Sequence, residues 1–440
     1  MTESEQVDLA RESPGWRFYL QEKILVVFFL GFSGGLPFPL VYATLTAWLN
    51  DAGLQKSTIS TFAWIGFAYA FKFLWSPLVD RLELPILTRR LGRRRAWLLL
   101  SQISIGISLV ALSGVNPALA TGAFALVAIV VAFSSATQDM AIDAYRIECA
   151  EDEMQALLAA AYQYGYRISI IVGGAGALYI ADFVSWEIAY QCMAACMVIG
   201  VGTTLLCKEP TVPETAETIG HIFDGGFVPW FKASVVGPFV DFFDRYGTFA
   251  LTMLAFIALF RISDYVLGIL ANPFYLDIGF TKSQIASVAK LYGLWVALFG
   301  IAGGGWAVIK FGQSKTLIAA ATLIATTNLF FAVLAYTGPN IWALVATISF
   351  DNFAQGFSGT VFIAYLSSLT NVSFTATQYA LFSSLSVFFG KLIAGYSGDV
   401  QELVGYVGFF VYAAALGIPS IILAIVVVRH TPAENRNDHD

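Results

Sequence analysis

Apolar residues gather into twelve long runs separated by short polar stretches. The runs cover residues 24–48, 58–79, 96–114, 119–143, 157–181 and 187–207, then 247–271, 283–309, 314–337, 340–368, 375–397 and 403–428. A helix needs roughly 20 apolar residues to cross the hydrocarbon layer, and each run comes near or past that length. The pattern predicts an all-α polytopic membrane protein. One connection is long, residues 208–246. It opens with Lys208-Glu209-Pro210 and closes with Pro229-Trp230-Phe231 to Tyr246, alternating aromatic and polar residues like an amphipathic helix lying on a membrane. The expected organisation is therefore a tail (1–22), a six-helix bundle (23–207), a linker with an amphipathic segment (208–246), a second six-helix bundle (247–428) and a tail (429–440).

Lysine and arginine placement orients these spans, because positive residues stay on the cytoplasmic side. With the N-terminus inside, 17 of the 24 fall in cytoplasmic segments, only Lys56 and Lys282 fall outside, and five lie within spans. Both termini are expected in the cytoplasm. The first apolar run is too long for the core of a signal peptide and lacks a small-residue cleavage pattern, so it is expected to remain as a span.

Composition agrees: of 440 residues, 58% are hydrophobic and 12% charged, where a soluble chain carries about 25% charged residues. The net charge of −6 says little about partners, since the charges are sorted by side. Cys149, Cys192, Cys196 and Cys207 match no metal or disulfide spacing. No phosphate-binding loop occurs, which argues against ATP as a driver through this chain, and nothing suggests nucleic acid. Gly31-x-Ser33-x-Gly35 fits a nucleophile-elbow pattern, but it lies in a span with no strand before it, so close helix packing explains it and no enzyme is expected. None of His221, His430 and His439 lies in a span, so a proton crossing with this protein must ride on a carboxylate.

Ionisable residues inside spans are costly and mark function. They are Lys72 in span two, Asp139 and Asp143 in four, Arg167 in five, Arg261 and Asp264 in seven, Lys290 in eight, Asp351 in ten and Lys391 in eleven. Asp139 and Asp143 share a helix face and are the candidates for proton coupling, with Asp143 alternatively a gate ion pair. Arg261 and Asp264, three apart, either neutralise each other or meet substrate. Arg167, Lys290 and Lys391 have no local acid, and a buried cation calls for something negative. Five cations against four acids within the spans favour an anionic substrate. Tyr166, Tyr292 and Asn352 join the candidate binding set, with Tyr42, Tyr69, Trp295, Gln355 and Tyr365 behind them; packing is the simpler role for each.

An internal repeat adds topology. Asp80-Arg81, with Gly92-Arg93-Arg94-Arg95 beyond it, stands between spans two and three. Gly305-x3-Ile309-Lys310-x-Gly312-x2-Lys315 stands at the same place in the second half. The second loop resembles the G-x3-D-R-x-G-R-[KR] motif of the major facilitator superfamily with its acid lost, and the first resembles the same motif split by an insertion. That resemblance implies two six-helix bundles around a central cavity. Spans three, six, nine and twelve carry no interior charge, as expected if those four face lipid. Asp80, Arg81, Gly92, Arg93, Arg94, Arg95, Lys310 and Gly312 are then the candidate cytoplasmic gate.

Further stretches narrow the resemblance. Gly31-Phe-Ser-Gly-Gly-Leu-Pro37, Lys72-Phe-Leu-Trp-Ser-Pro-Leu-Val-Asp-Arg81, Ala132-Phe-Ser-Ser-Ala-Thr-Gln-Asp139, Asp143-Ala-Tyr145, Gly165-Tyr-Arg167 and Phe374-Thr-Ala-Thr-Gln-Tyr-Ala-Leu-Phe382 are similar to the AmpG family of muropeptide permeases, in order from span one to span eleven. The resemblance implies proton-coupled import of GlcNAc-anhydroMurNAc peptides across the bacterial inner membrane for peptidoglycan recycling, which in some bacteria controls β-lactamase induction. It implies no cofactor, with the proton gradient as energy source, and a critical aspartate at the span-four motif. The expected partners are an anionic sugar-peptide, protons and lipid, with the protein acting as a monomer. Several members continue to fourteen spans. The twelve-span siderophore permeases resemble the same family, as do acetyl-coenzyme A transporters, so a siderophore or an acyl-CoA-like anion is the alternative cargo.

Overall fold

Without water to bond to, a chain in lipid closes its backbone hydrogen bonds within each segment, and the apolar runs accordingly fold as helices. The computed structural model describes residues 21–150, 152–210 and 236–430. The N-terminal tail to residue 20, the linker stretch 211–235 with His221 and Pro229-Trp230-Phe231, and the tail from 431 lie outside the described residues. No strand occurs among the described residues.

Nine helical stretches among the described residues are long and apolar enough to cross a membrane. They include Glu22–Asp51 (span one), Arg93–Ser113 (three), Thr121–Glu148 (four), Met154–Phe183 (five) and Trp186–Leu206 (six). The others are Phe249–Ala271 (seven), Ser287–Phe311 (eight), Gln313–Thr337 (nine) and Ser397–His430 (twelve). Spans ten and eleven are also long helices, Ile341–Ser368 and Thr375–Ala394, but buried polar residues such as Asp351, Ser358, Thr377 and Gln378 dilute their hydropathy. Span two is broken into short helical pieces between Lys56 and Arg81, with non-helical backbone at Phe71 and Trp75. Pro77, in the last of these pieces, has no backbone N–H to give a preceding turn.

The chain forms two compact units. The first takes its described residues from 1–66, 84–150 and 161–211, and the second from 67–83, 151–160 and 212–440. The lower part of span two and the start of span five thus group with the C-terminal half. In the first unit, spans one and five press together on glycine. A Cβ on Gly31 would meet the Tyr162 backbone, and one on Gly165 would meet the Phe28 carbonyl. At one end of that unit Trp48 packs against Phe124, Tyr190 and Trp186, with ring centroids 4.7–5.9 Å apart. In the second unit, spans eight and ten form a similar seam, Gly300 against the Phe353 backbone and Gly356 against the Ala297 carbonyl.

The two repeat loops have matching backbones. Gly92 (φ 88°, ψ 170°) immediately precedes span three, and Gly312 (φ 78°, ψ 158°) immediately precedes span nine. Both lie in a region that glycine enters freely and other residues do not, which explains glycine at these places in both halves.

Candidate functional site

Span four carries the carboxylates. It is helical from Thr121 to Glu148, and its second half, Ser134 to Ile147, is buried throughout. Asp139 is 8% exposed and faces span one: a Cβ on Gly34 would stand 3.2 Å from Asp139 Oδ1 and 3.9 Å from the Tyr162 hydroxyl of span five. Next to it, Gln138 donates from Nε2 to Ser33 Oγ at 3.0 Å, joining spans four and one. Asp143, one turn on, has Arg146 of its own helix at 3.7 Å.

The other intramembrane charges fall into separate groups. Arg261 donates to Asp264 at 2.5 Å, so these two form an ion pair within span seven. Asp351 is buried in span ten and accepts from Gln355 at 2.9 Å. Asn352 bonds back to the Ile348 carbonyl, and the Tyr292 hydroxyl bonds to Ser349 at 2.9 Å. Arg167 and Tyr166 are half-buried on span five, with the Tyr166 ring 6.4 Å from Phe38 and 5.7 Å from Tyr162. Lys290, in a π-helical turn, and Lys391, in span eleven, are both exposed.

The arginine-rich loops give the most organised geometry. Asp80, 2% exposed, caps the start of span eleven. Its Oδ1 accepts from Ala376 N–H at 3.0 Å, and its Oδ2 accepts from Thr377 N–H at 2.7 Å and the Thr377 hydroxyl at 2.6 Å. The first N–H groups of a helix have no partner in the helix itself and carry its positive end, so a carboxylate suits them doubly. Beside it, the Arg81 guanidinium lies 4.9 Å from the centre of the Phe374 ring. The lower part of span two is thereby tied to span eleven, and both belong to the second unit.

A second pair of caps joins spans three and six inside the first unit. Glu209, just past span six, accepts from the Arg94 and Arg95 N–H groups at 2.7 and 3.0 Å, capping span three. In return Arg95 donates to the carbonyls of Thr204 and Leu205 at 2.8 and 2.7 Å, at the negative end of span six. Burial pushes the Glu209 carboxyl above its ordinary range, although both backbone donors pull it down. Arg94 itself is buried in a two-point ion pair with Glu148 at the end of span four, at 2.9 and 2.5 Å. In the second repeat loop, Lys310 is exposed over the Trp306 and Phe311 rings.

Sequence reasoning places Asp80 and Arg94 at a gate but misses their partners. Thr377 and Ala376 bind Asp80 mainly through backbone N–H, which no side-chain pattern reveals. Glu148 and Glu209 stand at span ends, where an acid is unremarkable. Asp241, Arg245 and Gln378 form a further cluster; their one sequence signal is that Gln378 lies in the Phe374–Phe382 stretch.

A family described as acetyl-coenzyme A transporter 1 matches residues 18–173. A putative transporter, AmpG 4 of Rickettsia felis, is 34% identical over 409 residues, covering 92% of this chain and 97% of that protein. The anhydromuropeptide permease of Escherichia coli is 32% identical over 416 residues, 93% of this chain and 80% of its own. Among solved structures, the proton:xylose symporter XylE superposes with a TM-score of 0.69 at 15% identity, over 94% of this chain and 96% of its own. The major facilitator transporter FucP, in its outward conformation, gives 0.68 at 14% identity, over 92% and 99%. Full-length identity above 30% and this shared architecture lead to one assignment: the chain is a multi-pass membrane permease with the major facilitator fold, and it belongs to the AmpG family.

Proposed function

We propose that this permease imports GlcNAc-1,6-anhydroMurNAc peptides across the bacterial inner membrane, driven by the proton gradient through alternating access, with both termini in the cytoplasm. The observation that carries the coupling is Asp139: a carboxylate buried in span four, beside Gly34 and Tyr162 of neighbouring spans, while among the described residues the one histidine in a span, His430, is the last residue of span twelve. A carboxylate there can take up a proton when a path to water opens on one side and give it up when one opens on the other. Protonation from outside would neutralise Asp139 for the inward change, and release inside would reset it. Asp143, next on the same face, would share the proton with it.

Muropeptide as cargo is supported by the likeness to the Escherichia coli permease through 93% of the chain. Arg167, Lys290 and Lys391 would meet the carboxylates of the peptide, with Tyr166, Tyr292 and Asn352 against the sugars. Arg261, Asp264 and Asp351 would enter by exchanging their present bonds for bonds to substrate. On the cytoplasmic side, the Asp80 cap would hold the ends of spans two and eleven together, and it must break whenever those ends part. The Gly92–Arg95 loop, anchored by Glu148 and Glu209, would move with spans three and six; Lys310 and Gly312 would mark its counterpart. The match of residues 18–173 to the acetyl-coenzyme A transporter family makes an acyl-CoA-like anion the second cargo to try.

The test is uptake of labelled anhydromuropeptide into proteoliposomes of the purified protein, with and without an imposed proton gradient. Accumulation only with the gradient is expected, and Asp139→Asn should abolish accumulation while leaving the protein folded. Wild-type accumulation by Asp139→Asn would remove that residue from the coupling. Folded protein that moves acyl-CoA and not muropeptide would replace the cargo.

A further inference from the structure

Gln378, 1% exposed near the start of span eleven, uses every hydrogen-bonding position of its amide. Its Nε2 donates to the Pro238 carbonyl at 2.9 Å and to Asp241 Oδ2 at 2.8 Å. Its Oε1 accepts from Arg245 Nη2 at 3.1 Å and from the Asn371 N–H at 2.7 Å. Two donors and two acceptor sites are all that a glutamine amide offers. Three of the four partners lie in the linker helix Gly237–Tyr246, and the fourth lies in the turn between spans ten and eleven.

The partners are also bonded among themselves. Asp241 accepts from Arg245 Nε at 3.0 Å and from Asn371 Nδ2 at 2.7 Å. Arg245 donates to the Leu369 carbonyl at 3.1 Å, and Asn371 Oδ1 accepts from the Ser373 N–H at 2.9 Å. One turn beyond Gln378, the Phe382 ring packs 5.0 Å from Phe242. The linker helix is thus bolted to the turn that aims span eleven. Thr377, the residue before Gln378, carries the N–H and hydroxyl that Asp80 takes. Adjacent residues on one helical turn therefore hold opposite ties, one to the linker helix and one to Asp80.

We propose that Gln378 and Asp241 are positioning residues for the gate: they lock the linker helix to the start of span eleven and so set where its free N–H groups meet the Asp80 carboxylate. This assigns the linker a task in the transport cycle beyond joining two halves, and it rests on the reading of Asp80 as a gate residue. The cluster holds one carboxylate and one guanidinium, so it is neutral as built. Gln378→Glu would set a second carboxylate against Asp241 and the Pro238 carbonyl and expel the linker helix. Adding Asp241→Asn returns the count to one carboxylate and one guanidinium.

The experiment uses the full-length protein with its cysteines replaced and a single reporter, A376C, in membrane vesicles whose cytoplasmic face is accessible to a thiol reagent. Reporter labelling should quicken about tenfold in Q378E, the equivalent of about 1.4 kcal/mol, and fall back toward the parent in Q378E/D241N. All variants are checked for monodispersity and melting temperature. Parent-like labelling in Q378E while D80A labels faster would overturn the positioning role and leave the gate standing. Parent-like labelling in D80A as well would overturn both. Fast labelling in Q378E that D241N does not reduce would mean general loosening of span eleven and would also overturn the proposal.

Discussion

Removing the Asp80 carboxylate is the most direct test of the proposed gate. In D80A the start of span eleven loses two backbone caps and one hydroxyl bond at once. Loss of a side-chain cap costs about 0.5–2 kcal/mol, and loss of a negative charge at a helix N-terminus about 0.3–1 kcal/mol more. Asp80 is 2% exposed, so solvent screens little of this. The sum is about 2 kcal/mol against the tied conformation, and at 1.4 kcal/mol per tenfold that is a shift of about 30-fold in the equilibrium of the proposed gate. The single-cysteine A376C reporter would read this shift, because position 376 is buried and its thiol should react faster if the proposed gate opens. Labelling about 30-fold faster in D80A is expected, with D80N between it and the parent because an amide keeps one acceptor. Labelling in D80A at the parental rate, in protein of parental melting temperature, would refute the tie as an energetic element of the gate.

Other outcomes follow from the same geometry. Glu209 binds its proton more readily folded than unfolded, so it lowers stability as pH rises from its ordinary value of 4.5 through its raised one. The melting temperature of the parent relative to E209Q should fall over that interval, and a difference independent of pH would contradict the burial argument. R94A or E148A, each removing one partner of the buried Arg94–Glu148 pair, should cost about 3–5 kcal/mol, while the double variant should cost less than the sum. Additive losses in detergent melts would show that the pair is not coupled. Gly165→Ala should abolish folded expression, since its Cβ enters the Phe28 carbonyl, while Gly202→Ala should be neutral because nothing among the described residues lies within 4 Å. Equal fluorescence-detected gel-filtration profiles for the two would refute the seam.

Much of this architecture is legible in the sequence because lipid imposes a simple rule, long apolar helix, on every span. The rule weakens where spans carry polar business. Span two is apolar enough to read as one helix, yet it breaks at Phe71 and Trp75. Spans ten and eleven hold so many buried hydroxyls and amides that length rather than hydropathy identifies them. The glycines at 92 and 312 are legible as parts of the repeated loop motif, and their positive φ explains why glycine stands in both places. Charge proximity along one helix was readable too, as the Arg261–Asp264 pair shows. What stayed hidden were bonds whose acceptor or donor is main chain: Asp80 on Thr377, Glu209 on Arg94, Gln378 on Pro238. Every residue has an N–H and a carbonyl, so sequence cannot say which ones are taken.

The glycine seams have a mechanical consequence. Where backbones touch, as at Gly31 with Gly165 and at Gly300 with Gly356, two helices have no side-chain layer to shear and behave as one thick beam. Bending must then concentrate where helical geometry is already interrupted. Such places are Tyr42 in span one, the π-turns Val172–Gly176 and Ala286–Tyr292 in spans five and eight, and Gly405 in span twelve. Spans one, five and eight thus each combine a stiff stretch with a compliant joint. Spectroscopic probes placed on the beams are expected to report rigid-body angles, and probes placed at the joints to report strain.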